Sequence, residues 1–331
     1  MKTLCQSLAT LPLFSGSHQK TELADNRQFA VYETQMDAAL HDKLSDIAPW
    51  VKEGTIVDAG FGTGELARHL ALQHPASHII GIDCSEHFLT NAMQHLANIA
   101  TIRLVPGNII DKHLATDSVD TMIFSTVLHE VYSYTGYDIT AVEKALSSAF
   151  DELKPGGRII IRDGIMPEEK GAYLFLKNNN GSADSAEHPK HLSTEALFLR
   201  FVQEFKNGAG APHRAMKNTG TVPPRGFGKT LYRTSSHAAY EFLSKKDYRD
   251  NWHIEVNEQF GYLTLAQYET LLEKIGYRIL SSRGFQNPWI IRNRWQQDSI
   301  LMAKSKNGFM QAPWPNTNAV IVAEKPIKKI S

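Results

Sequence analysis

The chain of 331 residues has two cysteines, Cys5 and Cys84. Two distant cysteines build neither a disulfide framework nor a zinc site, and their scarcity fits a reducing compartment. No run of about 18 apolar residues occurs, so no transmembrane helix is expected. There is no internal repeat. Net charge is also missing, with 35 Lys and Arg against 35 Asp and Glu. That balance hides a division. Residues 1–164 carry 12 basic and 20 acidic side chains, residues 165–331 carry 23 and 15. Either the second half meets an anionic partner, or the two halves complement each other.

Hydrophobic residues make up 42%, enough for a sizeable core. The length allows two domains, or one domain with a large insertion. The start, Met1-Lys2 followed by Leu4 to Phe14, has a faint look of a signal peptide. Gln6, Ser7, Thr10 and Pro12 interrupt it and no small-residue cleavage site follows, so a tail and a cytoplasmic protein are expected. Phe29, Tyr32, Met36, Leu40 and Leu44 then recur at helical spacing, predicting an amphipathic helix over 27–49.

From residue 54 short apolar runs alternate with helical patterns. Strands are expected at Thr55–Val57, His78–Ile82, Ile102–Val105, Val119–Phe124 and Arg158–Arg162. Helices are expected at Glu65–Gln73, from an N-cap at Ser85 to about Ile99, and at Ile139–Leu153. This rhythm means a parallel sheet with helices on both faces, whose ligands bind at the carboxyl ends of the strands. After Gly164 it breaks. Residues 165–262 are read as an inserted cap with a helix at about Ser193–Phe205. Regular signals return with a helix at Leu265–Ile275 and strands at Tyr277–Ser281 and Ala319–Ala323.

Between the first strand and its helix stands Val57-Asp58-Ala59-Gly60-Phe61-Gly62-Thr63-Gly64. Glycines in that context let the backbone turn and approach a ligand. A nicotinamide fingerprint demands glycine at 65, where Glu65 would oppose a pyrophosphate. The Asp-x-Gly-x-Gly-x-Gly pattern instead resembles the first motif of the class I S-adenosylmethionine-dependent methyltransferases. Their cofactor carries a sulfonium and an ammonium, so an acid at Asp58 is favourable. Asp83, 19 residues past Gly64, stands where the family has its ribose acid. Asn108 stands where a residue past the third strand contacts the adenine amine, and Ile109 would pack on the adenine. Asp117-Ser118-Val119-Asp120 and Leu153-Lys154-Pro155-Gly156-Gly157-Arg158 continue the likeness, which covers about 110 residues.

The resemblance implies a doubly wound α/β fold. Its core is a mostly parallel seven-stranded Rossmann-like sheet, with a large, mainly helical cap insertion. The expected divisions are a tail and helix (1–50), the cofactor-binding core (51–164), the cap (165–262) and a C-terminal segment completing the sheet (263–331). Cofactor contacts are expected from Asp58, Gly60, Phe61, Gly62, Gly64, Asp83, Cys84, Asn108, Ile109 and Ser125.

Methyl transfer is an in-line displacement, helped by positioning and, where the acceptor must lose a proton, by a base. Candidates follow the fourth strand. His129 can act as base near neutrality. Glu130 can orient it or pair with a cationic acceptor, while Tyr132 and Tyr134 can line the pocket. Asp163 closes the fifth strand as a further pocket residue or a turn acid. His129-Glu130 lacks the second histidine of a zinc peptidase, since Ser133 stands there, and no metal is expected. Two clusters bear on the acceptor. Pro223–Arg233 is basic and glycine-rich. Trp289, Arg292, Arg294 and Trp295 would suit a flat or anionic molecule. The expected activity is methylation of oxygen or nitrogen on a small metabolite. An RNA or protein acceptor using the basic half, or a non-catalytic cofactor-binding module, are the alternatives.

Overall fold

Apolar side chains of a strand alternate between the two faces of a sheet. Here both faces are dry. Ile56, Ile79, Ile123, Ile160 and Val322 pack to one side. Val57, Ile80, Phe124, Ile161 and Ile321 pack to the other. Such runs belong to a parallel sheet covered on both faces, and the computed structural model shows that arrangement. It describes residues 28–30, 33–34, 40–169, 171–184, 186–205, 213–216 and 220–327.

The strands are β1 (Thr55–Ala59), β2 (His78–Asp83), β3 (Ile102–Pro106), β4 (Val119–Ser125), β5 (Leu153–Asp163), β6 (Ala172–Leu176), β7 (His213–Met216), β8 (Leu231–Thr234), β9 (Arg278–Phe285), β10 (Ser299–Ser305), β11 (Gly308–Gln311) and β12 (Asn318–Glu324). The main helices are α1 (Leu40–Ile47), α2 (Glu65–Gln73), α3 (Glu86–Leu96), α4 (Leu128–Tyr134), α5 (Ile139–Glu152), α6 (Thr194–Glu204), α7 (Ser236–Lys245), α8 (Trp252–Glu255) and α9 (Leu265–Ile275). The first sheet has seven strands in the order β3-β2-β1-β4-β5-β12-β9. Its first five strands are parallel, and β12 runs antiparallel to both neighbours. Strand order reverses between β1 and β4, which opens the crevice for a ligand at their carboxyl ends.

The seven-stranded sheet, its helices and the Ser85 cap on α3 follow the sequence reading. Two features do not. The segment after β4 turns at Thr126, whose φ is 60°, and forms α4. The second layer contains helices α6, α7 and α8, as a cap should, but also a five-stranded sheet in the order β11-β10-β6-β8-β7. Of the strands after residue 263, only β9 and β12 complete the first sheet, while β10 and β11 join the second. The physical reason is that antiparallel strands of four to seven residues leave a weak periodicity, and these come from both sides of α9.

Among the described residues no helix is long and apolar enough to cross a membrane. Of the helix expected over 27–49, α1 is present and Phe29 stacks on His87 at 3.7 Å. Tyr32 and Met36 lie outside the described residues, as does the tail with Cys5.

An aromatic core holds the second layer. Phe198, Phe201 and Phe242 are fully buried, with the Phe198 and Phe242 centroids 5.0 Å apart. Tyr240 joins the layers, its hydroxyl donating to the Thr317 carbonyl at 2.8 Å and accepting from the Ile165 N–H at 3.3 Å. Phe198→Ala should destabilise the fold by about 3–5 kcal/mol, through lost transfer energy and the cavity left behind. Urea unfolding followed by fluorescence checks this, and a loss below about 1 kcal/mol would show that the layer repacks around the gap.

Candidate active site

The glycine loop leaves β1 at its carboxyl end. Gly60 and Gly62 have φ of 75° and 54°, a region that side chains with a Cβ rarely adopt. A Cβ at Gly60 would also lie 2.4 Å from Val127 Cγ2, so glycine lets the loop lie against the segment after β4. Gly64 begins α2 as its N-cap. Phe61, expected among the cofactor contacts, is 3% exposed and packs with Phe88, Ala92 and Leu96. Its ring anchors the loop to the core and does not line the loop's open side.

Asp83 closes β2 beside this loop. Its Oδ2 accepts the Gly62 N–H at 3.0 Å and its Oδ1 the Ser85 N–H at 2.9 Å. The Cys84 backbone also bonds this carboxylate, so three N–H groups fix it at the end of β2. Cys84 is exposed next to it. The Asn108 side-chain oxygen accepts the Ile110 N–H at 3.1 Å, which engages one of its two lone pairs. Ile109 packs half-buried on the main core.

The acids here are costly. Burial pushes the Asp58 carboxyl up to about 7, with the Asp83 charge adding and Lys43 opposing. Burial pushes Asp83 up to about 6 against the N–H bonds from Ser85 and Gly62, and the nearby Glu130 charge adds to the rise. Asp58 Oδ2 and Ser125 Oγ are buried without a hydrogen-bond partner among the described residues. They sit at the ends of adjacent strands, β1 and β4.

A second group forms where α4 meets the end of β5. Asp163 accepts the His129 N–H at 3.0 Å and faces His129 Nδ1 at 2.7 Å. The imidazole therefore carries a proton on Nδ1 and turns Nε2 toward Glu258. Glu258 Oε2 lies 3.7 Å from Nε2, and the Tyr134 hydroxyl donates to Glu258 Oε1. Phe260 meets the imidazole edge-on at 5.0 Å. Burial alone would lower the His129 pKa, but Asp163 and Glu258 overcome it and hold the imidazole well above its usual range.

Asp163 from β5 thus holds the imidazole, while the Glu130 carboxylate lies within 4.8 Å of His129 and Glu258 and its charge also reaches Asp83. Glu258 was not foreseen. It lies 129 residues beyond His129 in a stretch with no motif, and only the second layer brings it there. His129, Glu130 and Glu258 place metal-ligand-type atoms within 4.8 Å of one another. Within this group Nδ1 faces Asp163 and Glu258 accepts from the Tyr134 hydroxyl.

Next to His129 lies a cavity of about 320 Å³ between the two layers. Thr126, His129 and Asp163 form its floor, and Tyr240, Phe260, Trp289, Arg294 and Trp295 form its walls. Of the sequence-predicted cluster, Trp289, Arg294 and Trp295 line this cavity and Arg292 does not. No residue of Pro223–Arg233 lines the cavity; that stretch runs into β8 of the second sheet instead.

The raised carboxyls have a consequence for stability. In the unfolded chain both aspartates ionise near 3.8, in the folded protein near 6 to 7. Their contribution is full below about pH 4 and lost as pH rises to about 7. Asp58→Asn should raise Tm at pH 8 by ~2–4 °C per kcal/mol recovered and change it little at pH 4. Thermal scans at the two pH values check this. A uniform shift at both would show that Asp58 acts through packing alone.

Residues 51–206 match the family described as Methyltransferase domain. The ribosomal RNA small subunit methyltransferase C of Pseudoalteromonas translucida is 30% identical over 122 residues, 36% of this chain and 33% of that protein. The ubiquinone/menaquinone biosynthesis C-methyltransferase of Syntrophotalea carbinolica is 28% identical over 115 residues, 34% of this chain and 45% of that protein. The chain thus spans less than half the length of the curated relatives it matches. A chain of the Haloferax volcanii complex between the Trm112 methyltransferase activator and a methyltransferase has a TM-score of 0.50 at 14% identity, covering 95% of this chain and 100% of that one. At that identity the likeness concerns the fold. With the glycine loop, the acids at the ends of β1 and β2 and the seven-stranded order already in hand, the match identifies residues 51–206 as a domain of the class I, Rossmann-like methyltransferases that use S-adenosylmethionine.

Proposed function

We propose that the protein transfers a methyl group from S-adenosylmethionine to oxygen or nitrogen of a small aromatic or anionic metabolite. The observation that carries this is the cavity against His129, Asp163 and Thr126 at the carboxyl edge of the sheet.

The residues at that edge fit the cofactor. Two buried acids with raised pKa values and two unpartnered buried oxygens favour a cationic ligand. Gly60, Gly62 and Gly64 would let its backbone-facing parts approach, with Asp83 at the ribose and Asn108 and Ile109 at the adenine. Bound there, the cofactor supplies an electrophilic methyl on sulfur. The chain's own task is then to align the acceptor, exclude water and take a proton.

His129 Nε2 is the atom placed for that proton, and Asp163 fixes its ring and tautomer. Aromatic walls would hold a flat acceptor. The Arg294 guanidinium lies 5.0 Å from the Tyr248 ring and 5.6 Å from the Trp289 ring, presenting a positive charge to an anionic substituent. A cavity of about 320 Å³ is at the small end of ligand sites and suits one or two rings. An RNA acceptor is the second reading, favoured by the excess of basic residues after 165. It requires an affinity for RNA that falls with salt.

Calorimetry tests the cofactor half. Asp83→Ala should weaken S-adenosylmethionine about tenfold or more, by loss of charge-assisted hydrogen bonds worth ~1.5–3 kcal/mol. Unchanged affinity would remove Asp83 from the site. Kinetics test the acceptor half. His129→Ala should lower turnover roughly 100-fold or more while cofactor affinity stays close to wild type. Because the His129 pKa is raised and a base works deprotonated, wild-type turnover should climb as pH rises above the usual histidine range. Equal losses in turnover and cofactor affinity would refute the base assignment.

A further inference from the structure

Glu241 and Lys245 lie one turn apart on α7 and both are fully buried. Neither lines the acceptor cavity. Taking such a pair out of water is repaid only by good geometry and additional hydrogen bonds. Here the additional bonds go to one place. Glu241 Oε1 accepts the Gly261 N–H at 2.6 Å and Oε2 the Phe260 N–H at 3.1 Å. His237 Nε2 stands 3.4 Å from Oε1, and the Lys245 ammonium lies 3.9 Å above the Phe260 ring. Burial alone would push the Glu241 carboxyl up, but Lys245 and His237 hold it at about 2, so it stays an anion.

The peptides so held belong to the loop that faces His129. The Gln259 N–H donates to Ser133 Oγ at 2.8 Å, which ties the preceding peptide to α4. Gly261 is closely enclosed. A Cβ there would lie 2.9 Å from Tyr240 Cε1 and 3.0 Å from the Met166 nitrogen. Three consecutive peptides are thus fixed, one from the core and two from α7. Glu258 and Phe260, which flank the imidazole, lie at this fixed stretch.

We propose that Glu241 is a positioning residue: its carboxylate, held by Lys245, pins the peptides of 260 and 261 so that Glu258 stays beside His129 Nε2. The consequence for turnover rests on the methyltransferase reading above; the pinning itself does not. The charged and titratable groups around His129 are Asp163 on β5, Glu130 on its own helix and Glu258 on the loop. Tyr134 reaches it through Glu258, and Lys245 from α7 through Phe260. Loosening the loop removes only the Glu258 share, since Asp163 is held by β5.

The test is E241Q in the full chain, compared with E258Q and the double variant. Glutamine offers one acceptor oxygen for two N–H groups and no charge for Lys245. The His129 imidazole is titrated by NMR, and turnover is measured against pH. In E241Q the His129 midpoint should fall, as in E258Q, with little further change in the double variant. The acid limb of turnover should move to lower pH with it, because a base with a lower pKa is deprotonated earlier. Turnover should fall roughly 10- to 100-fold from misplacement, with cofactor affinity unchanged and partial recovery in E241D. A wild-type His129 titration in folded E241Q overturns the proposal, as does additivity of E241Q and E258Q. If E241Q does not fold, E241Q/K245M removes both charges and carries the same comparison. Absence of turnover in wild type with every acceptor would count against the methyltransferase reading alone, since the NMR titration still decides the positioning.

Discussion

The hydrogen bonds between Asp163 and His129 join the last residue of a buried parallel strand to the first turn of a short helix. Asp163 also accepts the Gly164 N–H at 2.8 Å, so its carboxylate takes three groups and has little freedom. Because β5 is buried on both faces, that carboxylate cannot move without the sheet. The imidazole inherits its fixity. From there the placement of Nε2, the edge contact with Phe260 and the approach of Glu258 follow. Thr126 in the left-handed region accommodates the turn that brings α4 down onto Asp163. Such backbone costs on the order of 1–3 kcal/mol and persists only where surroundings over-determine it.

Negative charge gathers at the same edge of the sheet. Asp58, Asp83, Glu130, Asp163 and Glu258 come from five different segments, against His129 and Lys43 on the positive side. In the protein alone this is expensive, and the raised pKa values of Asp58 and Asp83 express that cost. A cationic ligand offsets it. Binding and stability are then linked, since a ligand that favours ionised aspartates stabilises the fold most where those aspartates cost most.

The second layer supplies what a Rossmann-like sheet lacks. The sheet ends in an open crevice, and the second layer forms a roof beside it. Helices and a five-stranded antiparallel sheet provide it, fastened by Tyr240 to Ile165 and Thr317 and packed around Phe198, Phe201, Phe242 and Trp295. The roof also carries charge inward. Glu241 and Lys245 reach the site through the backbone of 260 and 261, and Arg294 reaches the cavity between aromatic rings.

The seven-stranded sheet could be read from sequence because its signals are local. Apolar runs ending in Asp58 and Asp83, glycines at 60, 62 and 64, and helical periods between strands each occupy a few adjacent residues. The acids and glycines expected at a cofactor were legible for the same reason, since they stand at the ends of consecutive strands. The burial of the Phe61 ring was not legible, because an aromatic in a ligand loop and an aromatic anchoring that loop look alike in one dimension. The second sheet was hidden by the shortness of its strands and by their distribution on both sides of α9. For the acceptor the sequence pointed to His129, with Glu130 beside it, and to the Trp289–Trp295 cluster; the structure adds Asp163 and Glu258 as neighbours of the imidazole. The sequence by itself determined the sheet, its order of helices and the chemistry of the cofactor loop, all of which rest on short-range periodicity and turn geometry. Only the tertiary structure decided which carboxylates share the imidazole and what encloses the cavity, because those contacts join segments more than thirty residues apart and are set by how two layers pack.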